Sequence, residues 1–166
     1  MSSGLNFFLN EIDKTPTTTG AWVDVDVSGD GVPAGATGVI LRLHNTSATN
    51  YQSLAVRKNG STDTRTQNVD ASRSLGVMVG IDANRIFEAK IYATTYKVFL
   101  IGYTTDGTDF FTNSLDRTPT TTGAWVDVDV SADIPSDAVG VIVQLINTNS
   151  STNYSGGVRK NGSTDT

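Results

Sequence analysis

The sequence predicts an all-β fold: an antiparallel β-sandwich or jelly-roll-like unit of about 100 residues, followed by a partial second copy. Two observations carry this prediction. Seven or eight short stretches of apolar or alternating residues lie within the first 108 residues, and turn residues separate them. A second feature is repetition, because TPTTTGAWVDVDVS occurs unchanged at positions 15–28 and 118–131.

The repeat defines the domain organisation. Trp22 and Trp125 are 103 positions apart, and VRKNGSTDT at 56–64 returns at 158–166. This period is longer than the roughly 20–50 residues of a solenoid repeat and matches a small domain. We therefore predict a complete unit over residues 1–108 and the first half of another over 109–166. Two explanations remain for the half unit: a fragment of a longer array, or a native half that completes its core against something else.

The first half of the unit contains four predicted strands. Alternation is strict in WVDVDV, where Val23, Val25 and Val27 point to one face and the two aspartates to the other. The run GVILRLHN is more apolar and therefore more central in its sheet. The predicted strands are residues 7–12, 22–27, 38–45 and 51–58, and we expect the second copy to carry the same four.

Turn signals place the remaining strands. Asn59-Gly60 predicts a type I′ turn within a hairpin over residues 54–66. Asp106-Gly107 predicts a second hairpin, which joins 97–104 to a strand over 108–113. Between them we predict strands over 75–81, 85–93 and 96–103. Residues 85–93 also fit a helix, but their β-rich surroundings favour a strand hairpin with 96–103.

Composition excludes several functions. The net charge is −5 with a pI near 4.6 and no basic run, which argues against nucleic-acid binding. No cysteine is present, so a disulfide framework is excluded. We find no signal peptide and no apolar stretch of about 18 residues, and so we expect no membrane span.

Aromatic residues that recur in both copies are the candidate ligand-binding residues. Trp22 and Trp125 open the alternating strand, where a tryptophan serves as a packing plug or as a stacking platform for a sugar ring. Tyr51 and Tyr154 are the second recurring pair, and Tyr92 is a further candidate for the same surface.

Paired aspartates are the weak metal candidates: Asp24, Asp26, Asp127 and Asp129. The first pair resembles the start of a calcium loop, but Gly35 stands where that loop needs a glutamate. We interpret the aspartates as a solvated stripe that faces Arg42 or Lys58. We expect no metal, no cofactor and no catalytic residue, since a glycosidase would need two carboxylates facing each other in a cleft.

Five stretches carry a resemblance to known proteins: GAWVDVDVS, GVILRLHNT, VRKNGSTDTR, GIDANRIFEAKIY and VFLIGYTTDG. Together they resemble the β-sandwich repeats of uncharacterised tailed-phage proteins. The resemblance implies a non-enzymatic structural or adhesion module of a virion or fibre, located in the virion or at an extracellular surface. Its partners would be copies of itself or neighbouring virion or fibre subunits. The alternative is a carbohydrate-binding β-sandwich module with a glycan as its ligand.

Overall fold

The computed structural model describes residues 4–149, 152 and 154–165, which form two compact units. Residues 4–115 are the sandwich unit, and residues 116–165 are the C-terminal unit. Residues 150, 151, 153 and 166 of the predicted second copy lie outside the described set. The sandwich unit contains eight strands: β1 Leu5–Asp13, β2 Val23–Asp26, β3 Gly38–Asn45, β4 Gln52–Lys58, β5 Gln67–Val69, β6 Ser74–Gly80, β7 Ile86–Ile91 and β8 Tyr96–Thr104.

The eight strands form two antiparallel sheets of four. One sheet has the order β1-β8-β3-β6, and the other has the order β2-β7-β4-β5. The described residues contain no helix, so the all-β prediction is confirmed, as is the strand rather than helix prediction for residues 86–91.

Strand pairing links the two halves of the unit. The strands pair as β1 with β8, β2 with β7, β3 with β6 and β4 with β5; β3 also pairs with β8 and β4 with β7. Within the described residues, β1–β4 therefore never pair with one another. Each of them obtains its hydrogen bonds from the second half of the unit.

The core lies between the two sheets. Alternation in β2 buries Val25 and leaves Asp24 and Asp26 exposed, as predicted. β3 is buried along most of its length because it lies inside its sheet, between β8 and β6. Apolar residues of both sheets form the core, among them Val27, Val39, Leu41, Leu43, Leu54, Phe87, Ile91, Val98 and Leu100.

The prediction that β7 and β8 pair with each other as a hairpin is wrong. Both strands exist, but β7 lies in one sheet and β8 in the other. The link from Ile91 to Tyr96 therefore crosses from sheet to sheet. Each of the two strands occupies an inner position, flanked on both sides by strands that are distant in sequence.

Two turn predictions also need correction. At Asn59-Gly60 only Gly60 has a positive φ, 79°, and Ser61 N donates to Lys58 O at 3.0 Å, which fits a type II rather than a type I′ turn. β4 and β5 do pair, with Leu54 opposite Gln67, but a long loop joins them. After the Asp106-Gly107 turn, residues 108–113 form no strand, because β1 and β3 already flank β8.

The C-terminal unit has no strand among its described residues. The four strands predicted for the second copy, of which the first falls within residues 109–115 of the sandwich unit, are therefore not formed among the described residues. In the sandwich unit the matching strands depend on β5–β8, and the sequence after residue 115 has no counterpart of that half. Alternation alone does not produce a strand when no partner supplies the hydrogen bonds.

One buried tyrosine joins the two sheets. Tyr96, the first residue of β8, is fully buried, and its hydroxyl donates a hydrogen bond to the carbonyl oxygen of Gln52 in β4. The same hydroxyl accepts the Val69 N–H of β5 at 3.4 Å. Burial raises the pKa of Tyr96, although the hydrogen bonds to Val69 and Gln52 oppose this shift. The hydroxyl remains neutral and a hydrogen-bond donor at physiological pH.

Tyr96→Phe should lower the free energy of unfolding by about 1–3 kcal/mol, because it leaves buried backbone groups of β4 and β5 without their partner. Urea denaturation followed by far-UV circular dichroism measures this difference. The control is Tyr92→Phe, whose side chain is exposed and which should change stability by less than about 0.5 kcal/mol. Equal losses in both variants would contradict the bridging role of Tyr96.

Candidate functional site

The outer face of the β2-β7-β4-β5 sheet carries a fixed aromatic and charged cluster. Arg57 of β4 forms two hydrogen bonds with Glu88 of β7, at 2.8 and 3.0 Å. The two residues are direct neighbours in the sheet, and their side chains are largely buried. The Arg57 guanidinium also lies 3.9 Å from the centre of the Trp22 ring. Glu88 therefore holds the arginine in a fixed position over the tryptophan.

This arrangement decides how Trp22 can act. The ring is half-buried, and one of its faces is covered by Arg57. The structure thus places Trp22 in a packing role, with at most one ring face open to a ligand. Sequence reasoning did not find Arg57 or Glu88. Their direct opposition in the sheet follows from the β4–β7 register, which no local pattern indicates.

Tyr51 lies apart from Trp22. It precedes Arg57 by six residues, which corresponds to about 20 Å along a strand. Its side chain is 69% exposed. At the same end of the sheet, Tyr92 N donates to Ser53 O at 3.3 Å, and Lys90 Nζ lies 4.9 Å from the Tyr92 ring centre. The exposed aromatic pair of this sheet is therefore Tyr51 and Tyr92, rather than Tyr51 and Trp22.

In the C-terminal unit, Trp125 repeats the contact of Trp22. The Arg159 guanidinium lies 4.2 Å from the centre of its ring. Trp125 is nevertheless 49% exposed, and Tyr154 is 67% exposed. The sequence-predicted aromatic residues are thus present on the surface of this unit, but no sheet supports them within the described residues.

The four aspartates are not part of any group of three potential metal ligands among the described residues. Asp26 accepts the Ser28 N–H at 2.7 Å, and Asp129 accepts the Ser131 N–H at 2.9 Å. These hydrogen bonds lower the pKa of both carboxyl groups. No group of three potential ligands occurs among the described residues. The residues that we expected to face the aspartates have other partners. Arg42 pairs with Glu11, and the Lys58 ammonium donates to Phe110 O.

A second candidate site is the junction, which we define as residues 109–115 and their binding surface on the sandwich. Phe110 packs against two glycines that face each other, Gly38 at the start of β3 and Gly80 at the end of β6. A Cβ atom at either position would overlap Phe110, so only glycine leaves room for its side chain. Lys58 Nζ donates to the Phe110 carbonyl oxygen at 3.1 Å.

Hydrogen bonds fasten the rest of the junction. Asn113 Oδ1 accepts the Thr62 N–H at 2.8 Å and the Ser61 hydroxyl at 3.0 Å. Asp63 Oδ2 in turn accepts the N–H and the hydroxyl of Ser114, at 2.8 and 2.9 Å. Arg65 donates to the same Ser114 hydroxyl. The junction is thus bound through its backbone as well as through its side chains.

Sequence reasoning missed the junction, although a signal was present. The loop that binds Asn113 and Ser114 belongs to VRKNGSTDT, which is identical in both copies although most of it lies outside any strand. Identity in an exposed loop points to a shared contact rather than to a shared core. The interpretation of Asn59-Gly60 as a simple hairpin turn hid this contact.

Asp82 holds the base of the junction loop, the loop over residues 58–63 that binds Asn113 and Ser114. It accepts the Asn59 side-chain amide at 2.9 Å, and the N–H groups of Ile86 and Asn84 at 2.8 and 2.9 Å. Burial raises the pKa of Asp82, but these hydrogen bonds outweigh burial, and the pKa lies below its ordinary value. The charged carboxylate therefore ties the Asn59-Gly60 turn to the loop between β6 and β7.

Asp82 should make the sandwich unit sensitive to acid. Because its folded pKa is depressed, its contribution to stability is complete above the unfolded value of about 4 and is lost as the pH falls through the folded pKa. We expect Asp82→Asn to be less stable than the parent at pH 7, with a difference that shrinks as the pH falls below about 4 and through the lowered pKa of Asp82. Urea denaturation at a series of pH values measures this difference. The exposed Asp106→Asn is the control, and a pH-independent gap for Asp82→Asn would contradict the assignment.

No protein-family model, curated protein or solved structure matches the chain. Within the described residues, no helix has the length and apolar character needed to cross a membrane.

Proposed function

We propose that the chain is a non-enzymatic structural module that acts through repetition, in which the junction fastens one β-sandwich unit to the segment that opens the next. The observation that carries this proposal is the bound state of residues 109–115. A flexible linker between independent domains needs no complementary surface. Here two glycines, a lysine and the loop over residues 61–65 all bind the linker.

In this proposal the sandwich is a jelly roll, and the order of its strands supports that description. Its strand pairs are nested: β1 pairs with β8, β2 with β7, β3 with β6 and β4 with β5. This is the pairing of a long antiparallel ribbon that has been rolled up. Jelly rolls of eight strands occur in viral capsid proteins and in lectins. A fold hosts many functions, so this comparison supports the two candidate functions by analogy only.

Residues 109–165 are, in this proposal, a second copy of the first half of the unit. The counterparts of Phe110 and Asn113 in the first copy are Phe7 and Asn10, and both are exposed on β1. The counterpart of the junction loop, residues 160–165, is also largely exposed. The chain thus presents junction residues at its start and a junction loop near its end, which suits neighbouring units of the same kind.

The setting we propose is a virion or a fibre. It rests on the resemblance of the sequence to tailed-phage β-sandwich repeats, which implies a location in the virion or at an extracellular surface. Its partners would be copies of itself or neighbouring virion or fibre subunits. Repeated units with fixed junctions extend an assembly. When weak contacts are linked in this way, each contact that forms raises the effective concentration for the next contact.

The junction should be as rigid as the strands. Backbone amide order parameters of residues 109–115 should be near 0.85, and the double variant Phe110→Ala/Asn113→Ala should lower them below about 0.6. NMR relaxation of the full chain measures these values. The reason is that the variant removes the side chain packed on Gly38 and Gly80 and the oxygen bound by Ser61 and Thr62.

Phe111→Ala is the matched control, because Phe111 is adjacent to Phe110 but exposed. It should leave the order parameters of the junction unchanged. Low order parameters for residues 109–115 in the unaltered chain would contradict a structural junction.

A second candidate function is glycan binding, and the exposed pair Tyr51 and Tyr92 favours it. Aromatic faces bind the apolar faces of sugar rings. Lys90 lies over one face of the Tyr92 ring, so Tyr92 offers its other face for stacking, and the Lys90 ammonium supplies a hydrogen-bond donor beside it. The half-covered Trp22 contributes less than the sequence suggested, since Arg57 occupies one of its faces.

If the chain binds a glycan, Tyr51→Ala should weaken binding by about tenfold, as expected for the loss of one stacking contact. A polysaccharide panel followed by calorimetry tests this with the full chain. Leu9→Ala, an exposed apolar residue on the other sheet, is the control. Absence of binding across the panel, or equal loss in both variants, would remove this candidate.

A further inference from the structure

The edge strands of the two sheets differ in how well they are protected against pairing with another chain. The edges are β1 and β6 in one sheet and β2 and β5 in the other. The register of β1 breaks between Phe7 and Ile12, β2 carries two exposed aspartates, and β5 is only 3 residues long. Irregular register, charge and shortness are common features that keep an edge from adding a foreign strand. β1, β2 and β5 therefore each have a protective feature.

β6 has none of these features. Its 7 residues, SLGVMVG, include no charge and no proline, and its register with β3 is unbroken from Gly80 to Ser74. Leu75 and Met78 are 39% and 40% exposed. A long, regular and apolar edge of this kind is a site for strand addition.

The hydrogen-bonding pattern shows which backbone groups of β6 point away from the sheet. At one end of the β3–β6 ladder, Asn45 N donates to Arg73 O at 3.0 Å, and at the other end Ile81 N donates to Thr37 O at 3.1 Å. Hydrogen-bonded pairs alternate along an antiparallel ladder, so the odd-numbered residues of β6 bond to β3. The even-numbered residues direct their N–H and C=O groups outward, and β6 pairs with no other strand in the described part of the chain.

The junction covers one end of this edge. Gly80 is buried, because Phe110 packs on it and Lys58 Cδ lies 3.0 Å from the position that a Cβ atom of Gly80 would take. The open part of the edge is therefore residues 74–78, which are exposed or half-buried. Within it, the outward N–H and C=O groups belong to Ser74, Gly76 and Met78.

The inner face of the sheet is also incompletely covered at this edge. Leu75 lies opposite Leu43, a core residue that is 1% exposed. Directly opposite residues share a face of a sheet, so Leu75 points to the core side of the sandwich although it is exposed. The apolar inner face thus continues to the open edge, where a further strand would extend it.

From these observations we infer that two copies of the chain pair through β6, antiparallel and about a twofold axis at Gly76. In this register Ser74 lies opposite Met78 of the second copy, and Gly76 lies opposite its own counterpart. The outward N–H and C=O groups of residues 74–78 then all have partners. On the inner face, Leu75 lies opposite Val77 of the second copy and is buried by it. The two β1-β8-β3-β6 sheets become one continuous sheet.

A second copy suits this edge for two reasons. The chain has a net charge of −5, so its copies repel one another on average, and β6 offers an edge without charge. Glycine at the twofold axis also places no side chain between the copies on the outer face of the sheet. The pairing is isologous, so each copy protects the edge that the other leaves open.

This inference names a surface for the self-assembly in the proposed function and rests on that part of it. It does not depend on the rigidity of the junction, on a glycan or on a virion setting.

Sedimentation equilibrium of the full chain over a concentration series tests the inference, and we expect a reversible monomer–dimer equilibrium. Gly76→Lys should weaken the dimer at least about tenfold, because it places two ammonium groups opposite each other at the twofold axis. The variant should fold, since a Cβ atom at Gly76 has no neighbour within 4 Å. Gly76→Glu should weaken the dimer for the same reason. An equimolar mixture of the two variants should restore it, because opposite charges then meet at the axis.

Gly76→Ala is the matched control at the same position. Leu9→Lys is the control for added charge, because it lies on β1, the opposite edge of the same sheet, and is 97% exposed. Both should leave the dissociation constant within about threefold of the parent value.

A dimer that Gly76→Lys does not weaken would overturn the inference alone. Equal weakening by Leu9→Lys, or no restoration in the mixture of charged variants, would do the same. A chain that stays monomeric up to about 1 mM would overturn the inference together with the proposed self-assembly. The order parameters of residues 109–115 test the junction in either case, so the two proposals fail separately.

Discussion

Nested strand pairing is the constraint on which the structure depends. Every hydrogen-bonded ladder of the sandwich joins its first half to its second half, and the ends of the unit meet where β1 pairs with β8. Such contacts lie far apart in sequence, so their chain-entropy cost is large and is recovered only when most of the sandwich has formed. Tyr96 illustrates the coupling, because its hydroxyl at the start of β8 satisfies backbone groups of β4 and β5 in the opposite sheet.

The repeated sequence separates what is local in this fold from what is not. WVDVDV forms β2 at its first occurrence and no strand at its second, although the letters are identical. The Asx-type hydrogen bond from Ser28 to Asp26 is present in both copies, at Ser131 and Asp129 the second time. Turns and caps are therefore determined by the local sequence, whereas a strand forms only when that local sequence also has a partner strand.

The same distinction explains which features the sequence predicts. Alternation correctly indicated the buried face of β2, and the apolar run GVILRLHN correctly indicated an inner strand with the observed bounds of β3. Sequence neighbours did not indicate pairing, since β7 and β8 follow one another closely but lie in different sheets. Asn59-Gly60 correctly indicated a turn, but this turn belongs to the junction loop. Asp82 and Asn113 bind the residues around the turn, in place of a hairpin partner.

The junction connects this constraint to the proposed function. Phe110 can bind only because two glycines face each other, and these come from different halves: Gly38 from β3 and Gly80 from β6. The C-terminal unit has the counterpart of the first, Gly140, and the counterpart of the loop that binds Asn113. A contact of the Phe110 type therefore needs both halves of a unit, because one glycine alone supplies only one side of the surface that binds the ring.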